Sequence, residues 1–388
     1  MKKVDAVLKL AVSLVWLCTS ALAATEYVIV NNNNYVSNTA ILYKLDTTTG
    51  ALTKTAVLQD GGQGLQTGNV YYYQIEQAVT QDAGCVFVFD AGSSDIAAFS
   101  KGTEYHRAGK YFNSKLLAND VGGTLALTPN GEFLYATYSE TENMGAWKVS
   151  SDCTLTFVAV IDGDSYGQIR VTPNGKYLVA MGLGGDSAEF AIDKGTGNLT
   201  YLGPISFTTG ACANLGVCVP YGLDITKDSK LVVFASRAVN ITQQYAFPVA
   251  LTARITSTGL VSPRVWPLRN SAGLVANFFT LFSAAGYAGG GDLYFATQGQ
   301  SGVEPGVLTT SFTERPMSFK VKNTTMVSSQ ALEGNIAVTG NVMVIAEYPD
   351  QIGVFRIQKD GSLKLLSTTT IDEQGEGLFS LSIFPNTR

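Results

Sequence analysis

Residues 123–139, GTLALTPNGEFLYATYS, constrain this chain most, because weakened copies of the segment recur along it. They return as residues 167–182 (GQIRVTPNGKYLVAMG), 222–237 (GLDITKDSKLVVFASR) and 335–347 (NIAVTGNVMVIAE), and a first half stands alone at 378–388 (LFSLSIFPNTR). Each copy reads as an alternating strand, a polar turn and a second apolar strand. Anchored on the residue before the turn, the copies fall at Thr80, Thr128, Thr172, Thr226, Thr339 and Phe384, at spacings of 48, 44, 54, 113 and 45 residues. The 113-residue interval is two repeats whose shared copy has degenerated near residues 278–297. The mean interval, about 51 residues, is the length of a four-stranded blade and exceeds that of helical solenoid repeats.

The two ends complement each other. The last copy stops at its turn, while the strand at residues 26–30 has no partner before it. The expectation is therefore an all-β, seven-bladed β-propeller with four antiparallel strands per blade. Residues 378–384 should supply the innermost strand of the blade whose other strands come from residues 27–30, 41–45 and 52–58, which removes an edge that would otherwise template aggregation. Hairpins such as LDTTTGALT, IDKGTGNLT and IQKDGSLKL join the two outer strands of a blade, with Asp, Thr and Gly supplying the turn.

Residues 1–23 carry basic residues, an apolar run and Ala21-Leu22-Ala23, the pattern of a secretory signal peptide, and leave residues 24–388 as one propeller domain. Secretion or export to a periplasm follows as an expectation. Losing Lys2, Lys3, Lys9 and Asp5 takes the formal charge from −5 to −7, which argues against nucleic acid or an anionic membrane as partner. No later apolar run approaches the roughly 20 residues that span a bilayer. In an oxidising compartment Cys212 and Cys218 are placed to close a small loop, whereas Cys85 and Cys153 are expected to stay as buried thiols. One His and no C-x-x-C give no support for a metal, and Gly61-Gly62-x-Gly64 precedes no helix that would make it a phosphate or cofactor loop. Asn198, Asn240 and Asn323 open N-x-T sites, relevant only in a host that glycosylates them.

In a propeller the innermost strands line a central channel, and ligands bind where it opens. With Leu125, Leu127, Ile169, Val171, Leu223 and Ile225 packed between blades, the intervening Ala126, Arg170, Asp224, Ala337 and Ser382 should face the channel. Thr124, Gln168, Gly222, Asn335 and Ser380 precede them by two residues, and Glu76 and Glu333 fall on the same face. Arg170 and Asp224 lie on neighbouring blades, either as an ion pair plugging the channel or as a substrate-orienting pair. Loops 31–39, 60–69, 90–95, 182–186 and 372–377 are rich in amides, Gly and carboxylates. They suit carbohydrate or a cation held by oxygen ligands, but equally they suit tight connections that need positive φ and self-bonding side chains. His106 lies in a hairpin on the opposite face, with no G-x-S-x-G motif to supply a nucleophile.

The T-P-N-G-(K/E)-x-L-Y-A signature and the G-x-L-T hairpins resemble the bacterial YVTN-type repeats and the lactonase-like seven-bladed propellers. That group includes 6-phosphogluconolactonase-type and carboxymuconate-cyclising propellers. The resemblance covers nearly all of residues 24–388 and implies the propeller fold. Asp90, Gly92 and Asp95 match the family's D-x-G-x-D strand-loop-strand, and Ser236-Arg237 matches the position from which family enzymes project an Arg toward substrate. Where those enzymes carry His before the inner strand, this chain has Gly122-Gly123 and Pro220-Tyr221. Two functions follow. One is an exported, non-catalytic binding protein: a monomeric propeller holding a small molecule, carbohydrate or protein at the channel mouth through Gln168, Asn335, Glu333, Asp90 and Asp95. The other is a lactone or sugar-acid hydrolase in which Arg170 and Arg237 hold an anion and Glu76 or Asp224 activates water.

Overall fold

A computed structural model describes residues 26–371 and 380–384, except 65–78, 82–83, 118–122, 139, 165, 183–185, 208–211, 213–216, 241–244, 269–284, 288–291, 298–305, 315–316, 327–335 and 348–349. The expected leader, residues 1–23, lies outside the described residues. The fold is the seven-bladed propeller: seven four-stranded antiparallel sheets, each running from an inner strand outward. Inner to outer, blade 1 is Ser380–Phe384, Glu26–Asn31, Thr39–Leu45 and Leu52–Gln59; blade 2 is Val79–Gln81, Cys85–Asp90, Asp95–Lys101 and Tyr105–Phe112. Blade 3 is Leu125–Leu127, Phe133–Tyr138, Asn143–Val149 and Leu155–Asp162; blade 4 is Tyr166–Val171, Tyr177–Gly182, Asp186–Ile192 and Leu199–Ser206. Blade 5 is Val217–Ile225, Leu231–Asn240, Tyr245–Thr256 and Gly259–Pro267. The copy hidden in the long interval is blade 6, Ala285–Tyr287, Asp292–Thr297, Gly306–Glu314 and Met317–Met326; blade 7 is Ile336–Thr339, Val342–Glu347, Gln351–Ile357 and Leu363–Thr370. Ring closure is as the half-repeats require, with Tyr27 opposite Phe384 and Asn31 opposite Ser380.

The turn motif has a physical basis that repeats with it. In TPNG, the Thr128 hydroxyl accepts the Phe133 N–H at 3.0 Å, Gly131 N–H returns to the Thr128 carbonyl at 2.8 Å, and Gly131 takes φ 73°. Thr172 with Tyr177, and Thr226 with Leu231, reproduce the arrangement at 3.0 and 3.1 Å. In blade 5 a serine, Ser229, holds the positive φ (60°), a conformation that costs a side chain energy. Its hydroxyl gives a reason for its presence, since it accepts the Asn174 N–H of the blade 4 turn at 3.0 Å. The hairpins also dock sideways. Asp46 and Asp193 each accept two backbone N–H groups of their own turn. The glycines that follow, Gly50 and Gly197, present carbonyls to Ser367 of blade 7 and Tyr135 of blade 3.

Apolar side chains among the described residues gather into seven clusters, one at each blade boundary. This corrects the expectation that alternate inner-strand residues face the channel. A blade stands radially, so both of its faces meet neighbours, and the two-residue alternation divides side chains between those neighbours. Leu125 joins the cluster with blade 2 while Ala126 joins the one with blade 4; Ile336 and Val338 face blade 6 while Ala337 faces blade 1. Each boundary carries a cluster of buried aromatic and aliphatic side chains, as with Phe87, Phe89, Leu134 and Tyr138 between blades 2 and 3. In all seven blades the register between the third and outer strands shifts at one point. Such bulges add twist, so the exposed outer strand presents no flat edge to another molecule.

Two disulfides are present. Cys212–Cys218 is the expected one. Cys85–Cys153 overturns the expectation of two thiols, because these residues begin the second strand of blade 2 and end a hairpin of blade 3, and the blade boundary brings their Cα atoms to 5.4 Å. A cross-link stabilises by restricting the unfolded chain, more so for longer loops. With separations of 68 and 6 residues, the Cys85→Ser/Cys153→Ser double variant should lose about 4 kcal/mol and the Cys212→Ser/Cys218→Ser variant about 2 kcal/mol. Denaturant unfolding of the two variants measures the order, and peptide mapping without reduction checks that both bonds form.

Candidate functional site

The end of the ring that carries the outer-to-inner and second-to-third strand connections holds most of the residues singled out from the sequence. On the inner strands of blades 3, 4 and 5 the polar side chains form a staircase. Thr124 Oγ1 accepts the N–H of Ile169 at 3.2 Å, and Gln168 Oε1 accepts the N–H of Leu223 at 2.6 Å. An inner strand has no strand beyond it, so its channel-side N–H groups need such partners. Asp224 is buried, and its Oδ1 accepts the N–H of Ile225 at 2.9 Å. Arg170 is half-buried beside them. Arg237 lies on the second strand of blade 5, opposite Val219 and Pro248; its side chain lies outside the described residues, as do Glu76, Glu333 and Asn335.

A second group occupies the mouth edge between blades 1 and 2, where Asp90 and Asp95 meet residues that the sequence reading left out. Asp90 ends the second strand of blade 2 and Asp95 opens the third, directly opposite it. Asn31 and Asn38 flank the matching loop of blade 1. The Asn38 amide donates to Asp90 Oδ1 at 2.7 Å and to Asn31 Oδ1 at 2.8 Å, and the Asn31 amide donates to the Phe89 carbonyl at 3.1 Å. Asp60, which follows the outer strand of blade 1, completes the group; it is fully buried, as are Asn31, Asn33, Asn38 and Asp90. Desolvation pushes Asp60 up to about 6, and desolvation together with the charges of Asp60 and Asp95 holds Asp90 well above the ordinary carboxylate range. A signal existed in the sequence: Asn31 and Asn38 bracket their loop much as Asp90 and Asp95 bracket theirs.

The segment 60–64 is threaded between the two loops. Asn38 N–H donates to the Gly62 carbonyl at 3.0 Å, Gly64 N–H to the Asn34 carbonyl at 2.8 Å, and Gly92 N–H to the Gln63 carbonyl at 2.9 Å. The fit is close enough that a β-carbon on Gly92 would stand 2.1 Å from the Gly64 carbonyl oxygen. Amides in loop 31–39 are therefore spent on the loop and on blade 2: Asn34 Oδ1 accepts the N–H groups of Val36 and Ser37, while Asn31 and Asn38 donate to Phe89 and Asp90. The tip residues Tyr35 and Val36 remain in solvent, 43% and 65% exposed. No group of acidic, His or Cys side chains among the described residues is arranged to hold a metal ion. His106, on the outer strand of blade 2, pairs with Ser100 at 2.9 Å across its hairpin.

Comparison with known proteins agrees with this architecture. A candidate 6-phosphogluconolactonase from Bacteroides fragilis superposes with a TM-score of 0.65 at 15% identity, over 94% of this chain and 99% of that one. The chain shares its seven-bladed propeller fold with that protein. A Lactobacillus plantarum protein (TM-score 0.58, 15% identity, 93% and 99% covered) and a functionally unknown protein from Desulfotomaculum acetoxidans (TM-score 0.58, 11% identity, 93% and 99% covered) have it as well. No protein-family model matches the chain, and no curated protein matches it. At such identities the likeness carries the fold and leaves chemistry to the site, since one fold hosts many functions.

Gln168 separates a structural role from a ligand-binding one. Gln168→Leu leaves the buried Leu223 N–H without an acceptor and should cost about 1–3 kcal/mol of stability. Thermal and denaturant unfolding measure it; an unchanged stability would free Gln168 for ligand.

Proposed function

We propose that the chain is an exported binding protein, secreted or periplasmic, that acts as a monomer and engages a small molecule, carbohydrate or protein at the mouth of its channel. The observation that carries this reading is the loop at residues 31–39. Its asparagines are turned inward to fix the backbone, and the fixed backbone holds Tyr35 and Val36 out in water. An aromatic ring and a branched aliphatic chain on a pre-ordered loop lose little entropy on binding, and tyrosine offers both an apolar face and a hydroxyl. Export draws support from the leader-like residues 1–23 and from two disulfides, which persist in oxidising compartments. Among the described residues no helix is long and apolar enough to cross a membrane.

A lactone-hydrolysing role is the second reading, favoured by Arg170 on an inner strand and by the likeness to a candidate 6-phosphogluconolactonase. Against it, Gln168 is engaged by a backbone N–H of the next blade and Asp224 by one of its own, and these are groups a hydrolase would want for substrate or water. The two readings part in one experiment. Mature protein is offered 6-phosphogluconolactone and a panel of neutral lactones, and in parallel a glycan array and immobilised surface proteins. The expected result is lactone loss at the spontaneous rate, with binding that falls at least about tenfold, or about 1.4 kcal/mol, in Tyr35→Ser/Val36→Ser while the melting temperature holds. Turnover that disappears in Arg170→Ala or Arg237→Ala would replace the binding reading with the hydrolase.

A further inference from the structure

Three loops meet at the mouth edge between blades 1 and 2, and three carboxyl groups are enclosed where they meet. Asp60, Asp90 and Asp95 are 0, 0 and 3% exposed. One glycine lies against two of them: the Gly62 N–H donates to Asp60 Oδ1 at 3.1 Å, and a β-carbon on Gly62 would stand 2.1 Å from Asp90 Oδ2. Lys110 joins the third to the same segment, with its ammonium 3.0 Å from Asp95 Oδ2 and 2.7 Å from the Gly61 carbonyl. Gly62 thus lies between Asp60 and Asp90, and Asp95 stands opposite Asp90 across the strand pair, so the acids form a row with Asp90 in the middle.

Among the described residues, the charged and titratable groups that face these acids are few. From the outer strand of blade 2 come Lys110 and Arg107, and the Arg107 guanidinium donates to the Asp60 carbonyl at 3.0 Å rather than to its carboxylate. From the second strand of blade 3 comes Tyr138, fully buried near Asp95. Among the described residues, no donor reaches Asp60 Oδ2, Asp90 Oδ2 or Asp95 Oδ1. A carboxyl oxygen without a donor, beside another acid in a dry site, is where a shared proton belongs, because neighbouring carboxylates with one ammonium between them cannot all stay ionised.

We propose that Asp60, Asp90 and Asp95 form a proton-held clasp: a proton shared by Asp60 and Asp90, beside Asp95 in its bond to Lys110, keeps the three mouth loops together, and its loss leaves like charges that repel and release the segment threaded between them. The direction with pH follows from burial. Asp60 goes from an ordinary 3.8 to about 6, and Asp90 is raised further, so the closed form holds protons that the opened loops give up. Closure is then complete below the ordinary carboxylate range and is lost as pH rises through about 6 and above. This is the reverse of acid denaturation. Glu189, buried between blades 4 and 5 and pushed up to about 7 by desolvation, tilts global stability the same way, so the test must read the loops locally.

Amide hydrogen exchange on the full-length protein gives that reading. Protection at Asn38, Gly62, Gly64, Gly92 and Ser93, corrected for the intrinsic pH dependence of exchange, is compared at about pH 5 and about pH 8. The clasp predicts a fall of roughly ten- to a hundredfold at these amides, one factor of ten per unit of raised pKa, with no matching fall at the Leu134–Ala136 amides of blade 3. Asp90→Asn, which keeps a neutral side chain at every pH, should remove most of the dependence, and Asp60→Asn should reduce it. Wild-type protection that is flat between the two pH values would overturn the clasp without recourse to any variant. A dependence that persists unchanged in Asp90→Asn and Asp60→Asn would overturn it as well.

Discussion

Antiparallel pairing of Ser380–Phe384 with Glu26–Asn31 is the constraint on which the ring depends. Each blade buries its faces only against its neighbours, so an open ring would leave two boundary faces and a strand edge in water. The closing strand supplies Leu381 and Ile383 to the cluster between blades 7 and 1, and Phe384 to the cluster between blades 1 and 2. Further bonds lock the same seam. Arg356 donates to the carbonyls of Thr47 and Thr48, Thr339 Oγ1 donates to Glu26 Oε1, and the Tyr27 ring stacks on Phe384 with centroids 5.3 Å apart.

From closure the rest of the molecule follows. Blade boundaries fix the inner strands, whose channel-side N–H groups are taken up by side chains such as Thr124 and Gln168. The same stacking brings the mouth loops of blades 1 and 2 close enough for one segment to be threaded between them. Polar chemistry at the mouth is thus a consequence of packing: Asp60, Asp90 and Asp95 meet because blade 1 must abut blade 2. An exposed tip with Tyr35 and Val36 is then displayed from a loop whose backbone is hydrogen-bonded by its own Asn34.

Much of this was legible in the sequence because it is local. The turn TPNG needs a hydroxyl five residues before an N–H and a residue that tolerates positive φ, and both requirements leave marks on consecutive residues. Ring closure was legible because a half-repeat at one end matches a missing strand at the other. What stayed hidden is set by neighbouring blades. Cys85 and Cys153 are 68 residues apart and pair only through the boundary between blades 2 and 3. Asp60 looked like one more loop residue because its partners, Asp90 and Gly62, come from different connections. Side-chain direction on the inner strands is hidden for a geometric reason: a period of two says that neighbours point to opposite faces, but not that both faces are buried.

Removing residues 380–388 tests the central claim most directly. The truncated protein should expose the Glu26–Asn31 edge, lose the cooperative melting of the intact ring and associate, as light scattering would record. A synthetic peptide spanning residues 378–388, added in excess, should restore a monomer by taking the vacated place. A truncated protein that stays monomeric with an unchanged melting temperature, and ignores the peptide, would contradict the account.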